Sequence, residues 1–506
     1  MKVLLVYPSY PDTFWSFKHA LPFVSKQAAF PPLGLLTIAA MLPEEWQKKL
    51  VDMNVTHLSD KDIKWADYVF ISGMVVQRKS AKNVIKKCNR LKTPVVVGGP
   101  LFTEEPNEFG GVDHFVLNES EVTLPMFLAD LEKGTPKPRY TSGQKPDITS
   151  TPIPMWDLID MSKYISMSLQ YSRGCPYDCE FCDITVLNGR VPRTKTKEQV
   201  LAELETLYQS GWRDNVFIVD DNFIGNKRKL KAEIIPAIAR WMVEHRFPFS
   251  LFTEATINLA DDEVLMEMMA KANFNTVFIG IETPNEASLI ECGKSHNRNR
   301  DLIAAVKKIQ NHGFQVHGGF IIGFDNDPIS IFDNQIDFIQ KSGIATAMVG
   351  LLNAPVGTKL YKRLEKEKRL VESFSGDNLD LSINFVPKME KQALISGYKR
   401  VLNTIYSYKN YYDRIITFIE SYRPKGKTKV TLSTFKWSNL RAFFKLIWHV
   451  GLKPKEGKRM FWDLLGWTMI KHPGAMFLAV MLSIYGFHFR KVVENYTQLL
   501  STSTTL

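Results

Sequence analysis

Along the first 130 or so residues, short and nearly uninterrupted runs of Val, Leu, Ile and Phe alternate with longer mixed segments, the runs falling at 3–7, 49–52, 68–72, 94–97 and 114–117. Strands apolar at every position are covered on both faces, so the pattern predicts a doubly wound parallel sheet with helical crossovers. Ligands on such sheets sit beyond the carboxyl ends of the strands. Those ends carry Tyr7-Pro-Ser-Tyr-Pro, Ser72-Gly-Met and Gly98-Gly-Pro. A second set of runs recurs at 168–171, 216–220, 249–254, 276–282, 315–324 and 347–352, with helix-length segments between them. Six βα units in succession predict a barrel or partial barrel whose active site lies at the C-terminal strand ends. Past Phe385 the pattern turns helical, aromatic and basic. A Gly, Pro, Thr and Ser-rich stretch at 134–154 reads as a linker. The expected division is 1–145, 146–385 and 386–506: an α/β chain with a helical extension. No short repeat is visible, and Ser501-Thr-Ser-Thr-Thr-Leu reads as a frayed tail.

Length and composition narrow the class. A chain of 506 residues exceeds one hydrophobic core, and hydrophobic residues at 45% with charged residues at 23% exclude disorder. Five cysteines, three of them between Cys175 and Cys182, do not make an extracellular disulfide framework. A reducing, cytoplasmic compartment is expected, and the N-terminus lacks the pattern of a signal peptide. The longest uncharged apolar stretch, 474–487, falls short of the roughly 20 residues of a spanning helix. Peripheral association remains open, on the inner face of the membrane.

The net charge of +11 permits an anionic partner. Between Arg423 and Arg459 the basic residues are Arg423, Lys425, Lys427, Lys429, Lys436, Arg441, Lys445, Lys453, Lys455, Lys458 and Arg459, against one acid, Glu456. On a helix, Trp437, Leu440, Phe443, Phe444, Ile447 and Trp448 fall on one arc with Arg441 and Lys445 near its rim, the pattern of an interfacial helix on an anionic membrane surface. A helical lid with a solvated basic face gives the same pattern. Nucleic acid is not expected, since large aliphatic residues dominate the stripe and no RNA-binding module is visible.

The strongest local signal is Tyr171-Ser-Arg-Gly-Cys175-Pro-Tyr-Asp-Cys179-Glu-Phe-Cys182, a C-x3-C-x2-C loop directly after an expected strand. Three thiolates on one short loop can hold three irons of a [4Fe–4S] cluster and leave the fourth open to an external ligand. A structural zinc would want a fourth protein ligand, which neither Cys88 nor Cys292 offers at close spacing. Glu254 and Glu282, at expected strand ends, could bind the hydroxyl or amino groups of such a ligand; a salt-bridged barrel carboxylate is the alternative for each.

With Phe181 before the third cysteine, this triplet resembles the defining motif of the radical S-adenosylmethionine superfamily. The likeness runs on along the chain: Asp220-Asp221-Asn222 loosely matches a GGE-like stretch, while Gly280-Ile281-Glu282-Thr283 and the glycine-spaced strand from Gly319 to Gly323 match more fully. Asn353-Ala-Pro-Val-Gly357-Thr358 resembles a P-x-G-T segment. The resemblance implies a (βα)6 partial TIM-type barrel in which Cys175, Cys179 and Cys182 ligate the cluster, and Asp220, Asp221, Glu254, Glu282 and Gly319 contact S-adenosylmethionine. The reduced cluster would cleave the sulfonium to a 5′-deoxyadenosyl radical, with an electron donor such as flavodoxin or ferredoxin.

A Rossmann-like α/β domain ahead of such a barrel resembles the cobalamin-binding class of these enzymes. Ser72, Gly98 and Gly99 would let the corrin approach the backbone, and Asn118-Glu119-Ser-Glu121 could cap or bind. The D-x-H-x-x-G signature is absent, since neither His57 nor His114 has its neighbours, so no histidine lower ligand is implied. The aromatic segment from Thr13 through Ala40, with Lys18 and His19, and the C-terminal Gly486-Phe-His-Phe-Arg490 resemble a subfamily that includes hopanoid methylases and archaeal tetraether-lipid ring synthases. The implied activity is C-methylation of an unactivated carbon in an apolar, isoprenoid or hopanoid, lipid. Ring closure in a lipid is the enzymatic alternative; a basic iron–sulfur or zinc protein that binds nucleic acid is the alternative from another class. A methylthiotransferase would need three further cysteines upstream, where only Cys88 stands.

Overall fold

The computed structural model describes residues 1–371, 375–377, 379, 381–424, 443–453 and 456–503. The first sheet is built from β1 (Lys2–Tyr7), β2 (Gln47–Asp52), β3 (Tyr68–Ser72), β4 (Val95–Gly98), β5 (His114–Val116) and β6 (Arg139–Tyr140). Its order is β2-β1-β3-β4-β5-β6, with every pair parallel. Alternate residues feed two separate cores. Leu4, Val6, Val69, Ile71 and Val97 meet Ile63, Val84 and Ile85 on one face. Val3, Leu5, Phe70 and Val96 meet Leu35, Ala39 and Phe127 on the other. Strand order turns back at β1, so the ligand crevice of this winding lies beyond the ends of β1 and β3. β6 is an addition to the expected strands. It is two residues inside the Gly/Pro-rich stretch, too short to leave a run, and it is recruited by pairing with β5.

The second sheet takes β7 (Ser166–Leu169), β10 (Asn215–Ile218), β11 (Ser250–Glu254), β12 (Phe274–Glu282), β13 (Gln315–Ile322) and β14 (Thr346–Leu351) in sequential order, all parallel. Between β7 and β10, the two-residue strands β8 (Ser172–Arg173) and β9 (Arg193–Thr194) pair antiparallel and bracket the cysteine loop. Outward positions such as Val216, Leu251, Val277, Val316 and Ala347 are buried under helices. Inward positions Phe217, Phe252, Glu254, Phe278, His317, Ile321 and Met348 stay partly accessible, so the barrel has a lumen.

The two edges, β7 and β14, are not paired to each other. Along β7, Gln27 N–H donates to Lys163 O at 2.8 Å and Ser166 N–H to Ala29 O at 3.1 Å, laying the N-terminal segment against the barrel. At β14, Tyr398 and Tyr406 hydroxyls donate to Val349 O (2.9 Å) and Ala347 O (2.6 Å), so the C-terminal helices cap that edge. Phe14 joins the two, stacked on Phe489 with ring centroids 4.1 Å apart.

Past Phe385 the described residues are mostly helical, as the pattern predicts: Lys391–Ile405, Tyr408–Ser421, a turn leading into Ile447–Leu452, Lys458–Lys471 and Met476–Ser503. The last helix runs through Ser501, where a frayed tail is expected. The apolar stretch at its start extends further than its uncharged core suggests: residues Pro473–Tyr496 form one helix long and apolar enough to cross a membrane, but over half of it is buried inside the fold, as in a core helix. Lys425, Lys427, Lys429, Lys436, Trp437, Leu440, Arg441 and Lys455 lie outside the described residues.

Gly397 shows how tightly these helices sit on the barrel. A Cβ there would stand 2.2–2.4 Å from three ring carbons of Phe332. Helix propensity favours alanine over glycine by about 1 kcal/mol, but forcing a rigid ring aside costs about 3 kcal/mol. Gly397→Ala should therefore lose about 2 kcal/mol of stability in chemical denaturation; an unchanged or raised midpoint would contradict this packing.

Candidate active site

The cysteine loop leaves β8 through Gly174, whose φ of 95° is a left-handed conformation and whose Cβ would come within 2.9 Å of Gly189 O and Val191 O. The two aspartates after β10 hold this entry in place. Asp220 accepts from Tyr171 N–H (2.8 Å) and the Ser172 hydroxyl (2.6 Å); Asp221 accepts from Gly174 N–H (2.8 Å) and Asn188 Nδ2 (3.0 Å). Burial pushes Asp220 up to about 7 despite these bonds. Each carboxylate thus holds one backbone N–H and one side-chain donor of the loop and its flanks. Their neighbour Asn222 is the unforeseen member: its Nδ2 lies 4.0 Å from Cys175 Sγ, and its Oδ1 is buried with no partner.

The loop's charged residues are clasped from the far side by helix Lys359–Lys366. Thr358 caps this helix through Tyr361 N–H (3.1 Å), which is the structural work of the Pro355-Val-Gly357-Thr358 segment. Leu360 N–H donates to Glu180 O (2.9 Å), Arg363 pairs with the Glu180 carboxylate (2.7 Å) and with Asp325 (2.9 Å), and Lys359 pairs with Asp178. Nothing in the sequence pattern marks Arg363 as a brace of this loop, because Asp325 and Glu180 are 38 and 183 positions away.

Cys175, Cys179 and Cys182 are half-buried, and burial pushes all three thiols up. Cys88 and Cys292 are fully buried, each pushed up to about 12 by burial. Among the described residues no three His, Cys, Asp or Glu side chains converge on a single ion position. Three partly open sulfurs on one loop, too dispersed for one ion and beside an orphaned amide oxygen, suit a multi-iron cluster with one open iron better than a lone zinc.

The expected carboxylates divide. Glu282, at a φ of 63°, turns into a buried ion pair with Lys294 Nζ at 2.5 Å. The Gly280 Cβ position would lie 2.3 Å from its Oε1, so glycine there makes room for the pair. Burial works against charge on Lys294, but Glu282 and then the Cys179 sulfur hold it protonated. Glu254, at the end of β11, has no hydrogen-bond or ion-pair partner among the described residues; burial, with Asp221 and Asp220 nearby, pushes it up to about 8. Gly319 faces the lumen, where its missing side chain leaves room for the Phe278 ring, 2.8 Å from an ideal Cβ.

The lumen is aromatic. Phe217 stacks on Phe252 at 4.6 Å, Phe30 leans on both, and Trp15 sits edge-on to Phe278 at 5.5 Å and over His317. Burial pushes His317 down to about 4, so it is neutral, with Gln315 Nε2 3.0 Å from its Nε2. His19 is engaged elsewhere: its Nε2 meets Asp12 at 2.7 Å, and Lys18 is exposed.

In the first sheet, Gly99 has a φ of 85° and a Cβ there would strike the Ser72 hydroxyl at 2.3 Å; at Gly98 it would strike Val116 O at 2.6 Å. Only glycine permits the β3, β4 and β5 ends to close this tightly. Gln77 links the crevice loops, accepting from Met74 N–H at 2.8 Å and donating to Pro8 O. No histidine occurs at 8–12, 73–77 or 99–101. His114 is tied to Lys137 O, and His57 is exposed beyond β2. The crevice therefore offers a flat, glycine-floored face, which fits a corrin held without a histidine ligand.

The two sheets' C-terminal ends are joined to each other. Glu119 and Glu121 do not reach into the crevice: Glu119 pairs with Arg173 (3.1 Å) and Arg193 (2.8 Å), and Glu121 with Arg173 (2.8 Å). Burial pushes Glu121 up, but the Arg173 guanidinium outweighs it and holds the carboxyl below the ordinary range. Beside them Glu104, in the helix after Gly99, shares a hydrogen bond with Asp183, next to Cys182; burial and then Asp183 push it up to about 8.

Comparison with known proteins agrees with this geometry. Residues 25–128 match the B12 binding domain, 169–339 the radical SAM superfamily, and 358–501 a domain of unknown function. An uncharacterized methyltransferase of Synechocystis sp. is 40% identical over 98% of this chain and 92% of its own length. The hopanoid C-2 methylase of Rhodopseudomonas palustris is 34% identical over 95% of this chain and 92% of its own. A solved cobalamin-dependent S-adenosylmethionine radical enzyme, OxsB with aqua-cobalamin bound, shares the fold at 17% identity and a TM-score of 0.63, covering 99% of this chain and 81% of that one. The chain belongs to the cobalamin-binding radical S-adenosylmethionine methyltransferases, enzymes that work with S-adenosylmethionine, an iron–sulfur cluster, cobalamin and an external reductant.

Proposed function

We propose that this enzyme methylates an unactivated carbon of an apolar lipid, of isoprenoid or hopanoid type, at the inner face of the membrane, with flavodoxin or ferredoxin as its electron donor. The observation that carries the substrate class is the lumen: Trp15, Phe30, Phe217, Phe252 and Phe278 line it, and its one histidine is uncharged. Such a wall stabilises an apolar molecule by area, and the carboxylate at its rim, Glu254, serves S-adenosylmethionine rather than the substrate. The 34% identity to a hopanoid methylase supports the same reading.

Residues 146–385 hold the cluster on Cys175, Cys179 and Cys182, and residues 1–145 hold cobalamin over Ser72, Gly98 and Gly99. When bound, these groups and S-adenosylmethionine supply a hydrogen-abstracting radical and a methyl group. The chain's own residues position and shield. Asp220 and Asp221 fix the loop backbone, Lys294 balances Glu282 beside Cys179, and Gly319 with Phe278 shapes the lumen wall. Glu254, without a partner among the described residues, takes hydroxyl donors of S-adenosylmethionine. In the region 386–506, helix Lys391–Ile405 with the adjoining Tyr406 covers the unpaired barrel edge at β14.

Anaerobic reconstitution with iron, sulfide, cobalamin, reductant and a hopanoid should yield a product heavier by one methylene, and Cys175→Ala, Cys179→Ala or Cys182→Ala should abolish both iron retention and S-adenosylmethionine cleavage. Cys88→Ala and Cys292→Ala should retain both. Ring-closed lipid, or methylation confined to water-soluble compounds, would overturn the reading. Glu254 adds a pH signature. Below about 8 it is protonated and accepts poorly; ionisation makes it a strong acceptor for a cationic ligand. Binding of S-adenosylmethionine, measured by equilibrium dialysis, should tighten as pH rises through about 8 and level above it. Glu254→Gln should flatten that rise and weaken binding roughly tenfold at high pH.

A further inference from the structure

We propose that the paired helices 443–452 and 458–471 form a docking surface for an anionic lipid bilayer. The sequence pattern places one apolar arc here, but the structure presents a broader and different face. Phe444, Trp448 and Leu452, spaced by four, are 60%, 60% and 56% exposed, while Leu446 and Val450 on the opposite side are buried. From the second helix Trp462, Met469 and Ile470 are also exposed, the last at 75%, while Phe461, Leu464 and Thr468 are buried. Trp462 Nε1 donates to Gly451 O at 3.0 Å, so the two helices make one rigid slab. A soluble surface rarely gathers six large apolar side chains in this way without something to cover them.

Charge identifies the occupant. Lys453, Lys458 and Lys471 are exposed and have no acidic partner among the described residues, and Arg459 is met only by Asp463 at 3.8 Å. The sequence between Arg423 and Arg441 adds six cations and no acid immediately before the first helix. Tryptophan and aliphatic side chains ringed by lysine match the headgroup boundary, where apolar groups insert and long cations reach the phosphates. A protein partner would have to be strongly acidic and apolar at once. The slab also rests on the segment that lines the barrel: Phe23 packs against His449 and Phe487, and Lys445 donates to Pro22 O at 2.7 Å.

The surface goes beyond the substrate reading and is tested without turnover. Full-length protein is floated with vesicles of phosphatidylglycerol and phosphatidylcholine, and with phosphatidylcholine alone. The wild type should float with the anionic vesicles. Trp448→Ser with Ile470→Ser should weaken binding about a hundredfold at every salt concentration, because inserted apolar area is lost. Lys453→Glu, Lys458→Glu and Lys471→Glu together should weaken it about a hundredfold at low salt, with the loss fading as salt rises. All these side chains are exposed, so unchanged melting temperatures are expected and distinguish lost docking from lost folding. Wild type that stays in the soluble fraction, or apolar variants that float like wild type, would overturn the proposal. Conversion of a dimer to a monomer by the apolar variants, without flotation of the wild type, would assign the face to a second copy of this chain.

Discussion

The ion-pair lattice of Glu119, Glu121, Arg173 and Arg193 is the constraint on which the rest of the site depends. Each sheet alone offers only strand ends with loops; chemistry that needs two bound groups at once requires those ends to face each other at fixed separation. Glu119 and Glu121 begin the helix after β5 in the first sheet, and Arg173 and Arg193 belong to the ribbon that brackets the cysteines in the second. All four side chains are at most 15% exposed, so breaking one pair leaves an uncompensated charge at a cost of about 3–5 kcal/mol. Behind this lattice, Arg363 and Lys359 brace the other side of the same loop through Glu180 and Asp178. The cysteines therefore lie in a loop pinned from both flanks.

How much of this was legible depended on sequence distance. Strands of the first sheet show as runs because both faces are buried, and all but β6 fall within about two residues of their expected positions. The barrel strands alternate instead, yet remain visible because their inward residues are aromatic rather than charged. The cysteine triplet is contiguous and self-declaring. By contrast, Lys294 and Arg363 carry no local signature of their roles at the site, which rest on partners brought near by folding, and Asn222 shows only as the last residue of the loosely matching Asp220-Asp221-Asn222 stretch. The aspartates at 220 and 221 were found by position, but hydrogen bonding turns them to the backbone. Glu119 and Glu121 stood out as polar residues after a strand, and the arginines that claim them lie beyond the linker, out of reach of any pattern.

The same reasoning separates the carboxylates. Glu282 and Glu254 both end barrel strands and look equivalent in sequence. A lysine twelve positions after Glu282 makes it part of the scaffold; nothing comparable meets Glu254 among the described residues, so it alone keeps a face for a ligand. The C-terminal helices follow the barrel's need for an edge cover: tyrosine hydroxyls satisfy β14 carbonyls that would otherwise be stranded. What those helices then leave outside is an apolar and basic surface that no other described element covers.

The carboxylate–arginine lattice holds the glycine-floored crevice of the first sheet against the cysteine loop. The direct measurement is the ratio of S-adenosylmethionine cleaved to lipid methylated in Arg193→Met, with iron and corrin content determined on the same sample. If the lattice sets that separation, both contents stay at wild-type levels while the ratio rises roughly tenfold or more, because radical generation continues and methyl transfer misses its target. A ratio unchanged from wild type, at full iron and corrin content, would show that the two sheets are aligned by other contacts and would contradict the account.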